Sequence, residues 1–387
     1  MSGETYQRYF GSQHRLVRET VRSFVRDEIL PHVDAWEEAG SFPRRLYRRA
    51  AELGILGVGY PETCGGVGGD VFTGIAVAEE LTGSGSGGLV AGLGSHHIAL
   101  PPIVRHGSDE QKRRFVAPVL AGERIAALAV TEPDAGSDVA GLRTTAVRDG
   151  EAYVVNGSKS FITSGCRADQ VTVAVRTGGP GAAGISLLVV EAGTPGYSTS
   201  PPMKKMGWWA SDTAQLFFDD CRVPVANRIG PENAGFKLLM ENFQSERLQM
   251  VVIANATARL ALDEALRYAA ERRAFGRPLA DFQVIRHRLA DMATEVTISR
   301  EFAYRVAAKI QAGVDQVMEV SMAKSFAAAV CERVTHAAVQ IFGGYGYVRE
   351  YPVERLFRDG RILSIGGGTS EIMKEIIAKR LLAEDEK

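Results

Sequence analysis

The sequence predicts an α+β multidomain chain: an N-terminal helical domain, a central β-barrel or sandwich domain, and a C-terminal four-helix bundle. Three observations carry this reading. The apolar period is helical over residues 1–122, turns to strand-like runs over 123–232, and returns to helix over 233–387. The stretch from Gly235 to Phe275 contains no proline and exceeds an average helix several-fold. At 387 residues the chain is long enough for two or three domains with a substantial core.

In the first block, HRLVRETVRSFVRDEIL sets Leu16, Val17, Val21, Phe24, Val25 and Ile29 or Leu30 on one helical face, and Pro31 kinks or ends it. FPRRLYRRAAELGIL and FTGIAVAEELTG repeat the amphipathic signature, and Ser108-Asp109 opens a further helix. Between them Gly83, Gly85, Gly87, Gly88, Gly92 and Gly94 crowd a helix-like stretch. Each helical glycine costs about 1 kcal/mol against alanine, so something packs close to this backbone. A neighbouring helix is one reading; a pocket wall with room for a long or bulky chain is the other. His96 and His97, lacking any Ser/His/Asp spacing, read as structural.

In the second block, RIAALAVTE, LRTTAVRDGEAYVVNGSKSFITSG, QVTVAVRT, ISLLVVEAG and TAQLFFDDCRVP read as strands between Gly, Asp and Pro turns. Gly179, Gly181 and Gly184 satisfy GxGxxG, yet the strand ISLLVVE follows where a dinucleotide fingerprint needs a helix. That stretch is a hairpin loop. Trp208 and Trp209 form either a packed corner of this block or part of a pocket entrance. In the last block, FQVIRHRLADMATEVTISREFAYRVAAKIQAG and the stretch from Gln316 to Phe342 continue the helical pattern.

Near the C-terminus a short apolar segment ends at Ile365, Gly366-Gly367-Gly368 follow, and a helix begins at Thr369 or Ser370. Glycines allow close backbone approach, and the helix behind them points free N–H groups forward. Alone, this is a plain strand–turn–helix junction.

The formal net charge of −1 provides no global basic field, so neither nucleic acid nor an anionic membrane surface is an expected partner. Cys64, Cys166, Cys221 and Cys331 are scattered without metal-ligand spacing, so no metal site or disulfide framework is expected. The polar start MSGETYQRYFGSQHRL and the lack of any membrane-length apolar run read as a cytoplasmic chain with no membrane insertion.

At AVTEPDAGSDVAG (129–141) and QIFGGYGYVREYPVERLFRD (340–359) the sequence resembles the acyl-CoA dehydrogenase family. KSFITSG, KKMGWWASDTAQLFFDD, ERRAFGRPLADFQ and GGGTSEI are similar to family segments and stand in family order. The resemblance covers nearly the whole chain. It implies a homotetrameric FAD enzyme that oxidises an acyl-CoA to the trans-2-enoyl-CoA and passes electrons to an electron-transfer flavoprotein. An oxygen-using flavoenzyme on the same fold and a non-catalytic acyl-CoA-binding relative are the alternatives.

The resemblance assigns Leu128, Val130, Thr131, Gly136 and Ser137 to FAD, with Ser137 also at the substrate. Phe161, Ile162, Thr163 and Ser164 match the segment beside the flavin ring. Arg272, Phe275, Gln283, Gln340, Gly343 and Gly344 match residues that reach FAD in a neighbouring subunit, and Thr369 and Glu371 match the last contacts.

Removing a proton alpha to a thioester needs a desolvated carboxylate over that carbon, while the beta hydride leaves for the flavin N5. Many family members carry this glutamate directly before a Gly-Thr pair; here the position is Gly367, which has no side chain. Long-chain and isovaleryl-type members place it on the long helix instead, and NFQSERLQM then offers Glu246. Leu239, Phe243, Met250 and Ile253 surround Glu246 at helical spacing, an apolar stripe that should raise its pKa. By itself a helix glutamate is a solvated group paired with Arg247; the glycine loop and the family register turn the reading toward the base. Phe243, Gln244 and Arg247 then match the substrate side, and Gly367 and Gly368 contribute backbone, with the Gly367 N–H donating to the thioester oxygen.

Overall fold

The computed structural model describes residues 8–384; residues 1–7, part of the polar start read above, and 385–387 lie outside the described residues. Helices α1 (Ser12–Phe24), α2 (Val33–Ala39), α3 (Arg45–Glu52) and α4 (Val71–Thr82) come first. Short helices follow: α5 (Gly87–Leu93), α6 (His96–Ala99), α7 (Pro101–His106), α8 (Asp109–Phe115) and α9 (Ala117–Leu120). A capping box at Ser108 and Gln111 starts α8 at the expected place. α1 runs into a π-helical turn over Val25–Ile29, whose wider winding changes which residues face inward. Ile29 is buried, whereas Leu30 is 46% exposed, and Leu16 of the expected apolar face is 64% exposed.

The glycine-rich stretch packs tightly. A Cβ on Gly88 would lie 2.7 Å from the Trp208 carbonyl carbon, and one on Gly92 would lie 2.8 Å from the Phe42 ring. These glycines admit a neighbouring backbone and a ring, so they do not open room for an acyl chain. Trp208 and Trp209 form a packed corner: the Trp208 N–H donates to Asp359 Oδ1 at 2.6 Å, and the Arg358 guanidinium lies 3.7 Å over the Trp209 ring.

Eight strands share one sheet: β1 (Ala126–Ala129), β2 (Thr145–Asp149), β3 (Ala152–Thr163), β4 (Gln170–Arg176), β5 (Ile185–Glu191), β6 (Tyr197–Thr199), β7 (Thr213–Pro224) and β8 (Arg228–Ile229). Their order is β6-β7-β3-β2-β4-β5-β8, with β1 parallel on β4. Pairing runs from β6 to β8 without joining these ends, so among the described residues the sheet is an open, sandwich-like layer and not a closed barrel. Val155, Leu216 and Phe218 from β3 and β7 share one core with Val173 and Leu188 from β4 and β5. The GxGxxG stretch is the β4–β5 hairpin loop, with Arg176 opposite Ile185.

The rest is helical apart from a small hairpin, β9 (Arg273–Ala274) and β10 (Arg277–Pro278). The helices are α10 (Gly235–Glu271), α11 (Gln283–Gln311), α12 (Val317–Phe342), α13 (Pro352–Gly360) and α14 (Ser370–Glu384). Ala254, Ala258, Ala261, Ala265 and Ala269 form one buried face of α10 and meet Ala323, Ala327 and Cys331 of α12. Small residues on both faces let these helices approach closely. Arg361–Ser364, expected as an extended segment, is a 3-10 turn. The Ile365 and Gly366 N–H groups both donate to the Ile362 carbonyl, at 2.9 and 2.8 Å, and close a helical turn where a strand would leave them free.

Candidate active site

Glu246 stands on α10, in a helix face held against the sheet and the short helices. Leu239 is fully buried seven residues before it, and Asn242 Nδ2 donates to the Ile98 carbonyl at 2.8 Å, tying this turn to α6. The glycine loop before α14 folds over the same turn. A Cβ built on Gly367 would lie 3.7 Å from Glu246 Oε1 and 3.4 Å from Met250 Cγ; one on Gly368 would lie 3.9 Å from Arg247 Nη2. Gly367 and Gly368 have φ of +63° and +93°, the region where side chains are strained, so the sequence of three glycines is what lets the loop lie this close.

Glu246 is partly covered but deeply set, and its carboxyl is pushed up to about 7. Burial is the main cause, opposed by the cations of Arg247 and Lys324. Arg247 is 8% exposed, its guanidinium lies 5.8 Å over the Phe243 ring, and its Nε finds no partner among the described residues. Burial pulls its pKa down against the pull of Glu246. A carboxyl pushed up to about 7, beside a buried guanidinium whose Nε has no partner among the described residues and a loop of bare glycine backbone, suits removal of a carbon-bound proton next to a carbonyl.

Comparison with known proteins gives the family. Models of the acyl-CoA dehydrogenase N-terminal, middle and C-terminal domains match residues 11–123, 127–221 and 233–382. The mitochondrial long-chain specific acyl-CoA dehydrogenase of Sus scrofa is 39% identical over 379 residues, 97% of this chain and 88% of that protein. The crystal structure of a probable acyl CoA dehydrogenase from Mycobacterium abscessus superposes with a TM-score of 0.95 at 53% identity, covering 96% of this chain and 100% of that one. This chain belongs to the acyl-CoA dehydrogenase family. It is an acyl-CoA dehydrogenase, an oxidoreductase. The family uses FAD, and a Bacillus anthracis acyl-CoA dehydrogenase complexed with FAD superposes at a TM-score of 0.92 and 32% identity, over 97% of this chain and 68% of that one. Identity of 39% does not single out the long-chain subfamily.

The segments assigned to FAD fall into two groups. Leu128, at the end of β1, leads to Val130 and Thr131, and the Ser160 N–H donates to the Thr131 carbonyl at 2.8 Å. This bond sets the 128–137 segment beside Phe161, Ile162, Thr163 and Ser164 at the end of β3. Phe161 has φ of +60° and is 67% exposed, so an aromatic side chain stands open one residue after the Ser160–Thr131 bond. Gly136 and Ser137 lie on the exposed loop after it, and a Cβ on Gly136 would meet nothing within 4 Å. An open aromatic face, hydroxyls and bare backbone fit a planar ring system with a polar tail. Thr369 caps α14, its Oγ1 accepting from the Ile372 N–H at 3.3 Å, and Glu371 sits in the first turn.

Arg272, Phe275, Gln283, Gln340, Gly343 and Gly344 gather elsewhere. Arg272 follows α10, Phe275 tips the β9–β10 hairpin, Gln283 starts α11, Gln340 lies in the last turn of α12, and Gly343 and Gly344 open the 3-10 turn after it. Arg272, Gly343 and Gly344 line one surface depression, and Arg272 lies over the Tyr345 ring at 5.4 Å. Arg272, just past the end of α10, is 26 residues beyond Glu246, roughly 40 Å along the helix axis.

His96 is buried with both ring nitrogens 3.0–3.1 Å from the Leu56 and Leu93 carbonyls, a packing role. Two lysines escaped the sequence reading. Lys159 is fully buried, donating to the Val130 carbonyl at 3.0 Å and to Glu132 Oε1 at 2.7 Å beneath the Thr131 turn. Lys324 is buried on α12 and donates to the Gly368 carbonyl. The available signal for Lys324 was its place between Val320 and Ala327–Ala328, a charge on an apolar helix face.

Proposed function

We propose that this enzyme is FAD-dependent and dehydrogenates an acyl-CoA between its alpha and beta carbons, with Glu246 as the base. The observation that carries this is the Glu246 carboxylate, set against the Gly367 loop and tuned to about 7. Glu246 takes the alpha proton from the thioester, and the Gly367 N–H donates to the thioester oxygen as negative charge gathers there. Arg247, half in contact with Phe243, stabilises the same charge and helps Glu246 to ionise, and Gln244 and Ser137 border the acyl-CoA. The ring-facing residues Leu128, Val130, Thr131 and Phe161–Ser164, with Gly136, Ser137, Thr369 and Glu371, would hold FAD. When bound, FAD supplies the acceptor for the hydride that leaves the beta carbon.

In the second group of FAD residues, Arg272, Phe275, Gln283, Gln340, Gly343 and Gly344, Arg272 stands roughly 40 Å along the α10 axis from Glu246, and Gly343 and Gly344 line the same depression as Arg272. We therefore assign these residues to the cofactor of a second copy, in a homotetramer, and an electron-transfer flavoprotein as the electron acceptor. An anaerobic panel of acyl-CoA thioesters tests the reading. At least one member should bleach the oxidised flavin of the parent protein. If none does, the dehydrogenase function fails; stoichiometric peroxide in air in place of acceptor reduction would assign the chain to oxygen-using relatives.

A further inference from the structure

We propose that Lys324 is a positioning residue, pinning the glycine loop from α12 while the loop's other side faces Glu246 and Arg247 on α10. This rests on the dehydrogenase reading above and adds a residue outside every segment expected to form the site. Lys324 is 1% exposed, and its ammonium donates to the Gly368 carbonyl oxygen. Gly367 and Gly368 approach Glu246 Oε1 and Arg247 Nη2, at 3.7 and 3.9 Å from where their Cβ atoms would be. Two helices thus grip a three-glycine segment that has no side chains of its own to hold it in place, and glycine restricts the backbone least of all residues.

The groups facing this point are Glu246 and Arg247 from α10, Lys324 from α12 and Glu371 from α14. A buried ammonium is costly unless hydrogen-bonded and paired. The Gly368 carbonyl meets the first need, and the charges of Glu246 and Glu371 favour the ammonium through space, without a direct ion pair to it among the described residues. Burial and the neighbouring Arg247 bring Lys324 down to about 8, against the pull of the two carboxylates. Fixing Gly368 fixes the neighbouring Gly367 N–H, and the Lys324 charge is one of two cations that favour ionised Glu246.

Lys324→Met and Lys324→Gln in the FAD-loaded protein separate the two contributions. For Lys324→Met we expect about tenfold or greater loss in the maximal rate of anaerobic flavin reduction, with acyl-CoA affinity within a few-fold of the parent. The pH midpoint of that rate should move above the parent's, because a cation has left Glu246. Amide hydrogen exchange should quicken in peptides spanning 361–373. Lys324→Gln, which keeps a donor for Gly368, should preserve the exchange protection and still move the midpoint upward. A parent-like midpoint together with parent-like exchange in Lys324→Met overturns the proposal, as does a rate loss matched by the unfolded fraction in near-UV circular dichroism. If the Met variant does not fold, the Gln variant decides by its pH midpoint. Should the parent fail to reduce with any acyl-CoA, the dehydrogenase reading falls, and hydrogen exchange still tests the tie.

Discussion

Gly367 and Glu246 share one space: a side chain at position 367 would begin 3.7 Å from the Glu246 carboxylate oxygen. If Glu246 is the base as proposed, a carboxylate carried at 367 starts in the same space, so a transfer between the two positions is expected to work in part. Glu246→Gly alone should lose flavin reduction by about 10² or more. The double variant Glu246→Gly/Gly367→Glu should recover at least tenfold of that loss in anaerobic stopped-flow, short of the parent. The shortfall follows from φ of +63° at 367, which costs a non-glycine residue roughly 1–2 kcal/mol.

Glu246→Gln should abolish bleaching while FAD and acyl-CoA still bind, with at least about a 10²-fold loss. In the parent, the rate should rise with pH through about 7 as Glu246 ionises. The same shift predicts a stability effect. A carboxyl whose folded pKa lies above its unfolded value holds its proton longer in the folded state, so stability falls as pH climbs from the ordinary glutamate range toward 7. Glutamine is free of that loss. The gain in melting temperature of Glu246→Gln over the parent should therefore be larger at pH 8 than at pH 5, by differential scanning fluorimetry.

Lys159→Met leaves the buried Glu132 with only the Arg143 and Thr144 N–H groups, at 2.6 and 2.9 Å. Breaking one side of a buried pair costs about 3–5 kcal/mol. Urea unfolding should show a loss on that order, and FAD should bind more weakly because the Val130–Thr131 turn loses its anchor. Lys159→Met/Glu132→Leu should return much of the stability, since neither charge is then left alone.

Gly88→Ala forces a methyl to within 2.7 Å of the Trp208 backbone, where no side chain can swing away. Overpacking of this kind costs about 1–3 kcal/mol. The apparent melting temperature should fall, while Gly136→Ala, with nothing within 4 Å, should leave it unchanged.

Phe275 is 96% exposed with φ of +52°, an aromatic side chain held out at a hairpin tip. If it reaches a second copy, Phe275→Ser should lower the FAD retained through gel filtration and shift the protein toward smaller species. Unchanged cofactor content and elution volume would remove Phe275 from the interface.

The surroundings of Glu246 were legible because they are local, whereas the residues proposed for FAD came from the resemblance to the family. Glu246 and Arg247 lie within one helical turn of Phe243 and Met250, and periodicity alone set Glu246 in an apolar stripe. The three glycines declared a close approach. What periodicity could not say was what approached what: the crowded glycines of α5 meet Trp208 and Phe42, contacts more than a hundred and about fifty residues away in sequence. The π-helical turn at Val25–Ile29 also escaped, since a single wide turn leaves no residue signature and only changes which of two adjacent leucine-type residues faces inward.

The sequence by itself determined the order of helical and strand blocks, the strands and the long proline-free helix, because each is written in nearest neighbours and short periods; the resemblance to the family added that Gly367 stands where many members carry glutamate. Only the tertiary structure decided that Gly367 lies over Glu246, that Lys159 and Lys324 are buried beneath the two loops of the candidate site, and that the sheet stays open among the described residues. Those facts depend on contacts between segments tens to more than a hundred residues apart, and the burial that moves Glu246 to about 7 exists only once α10, α12 and the loop have packed together.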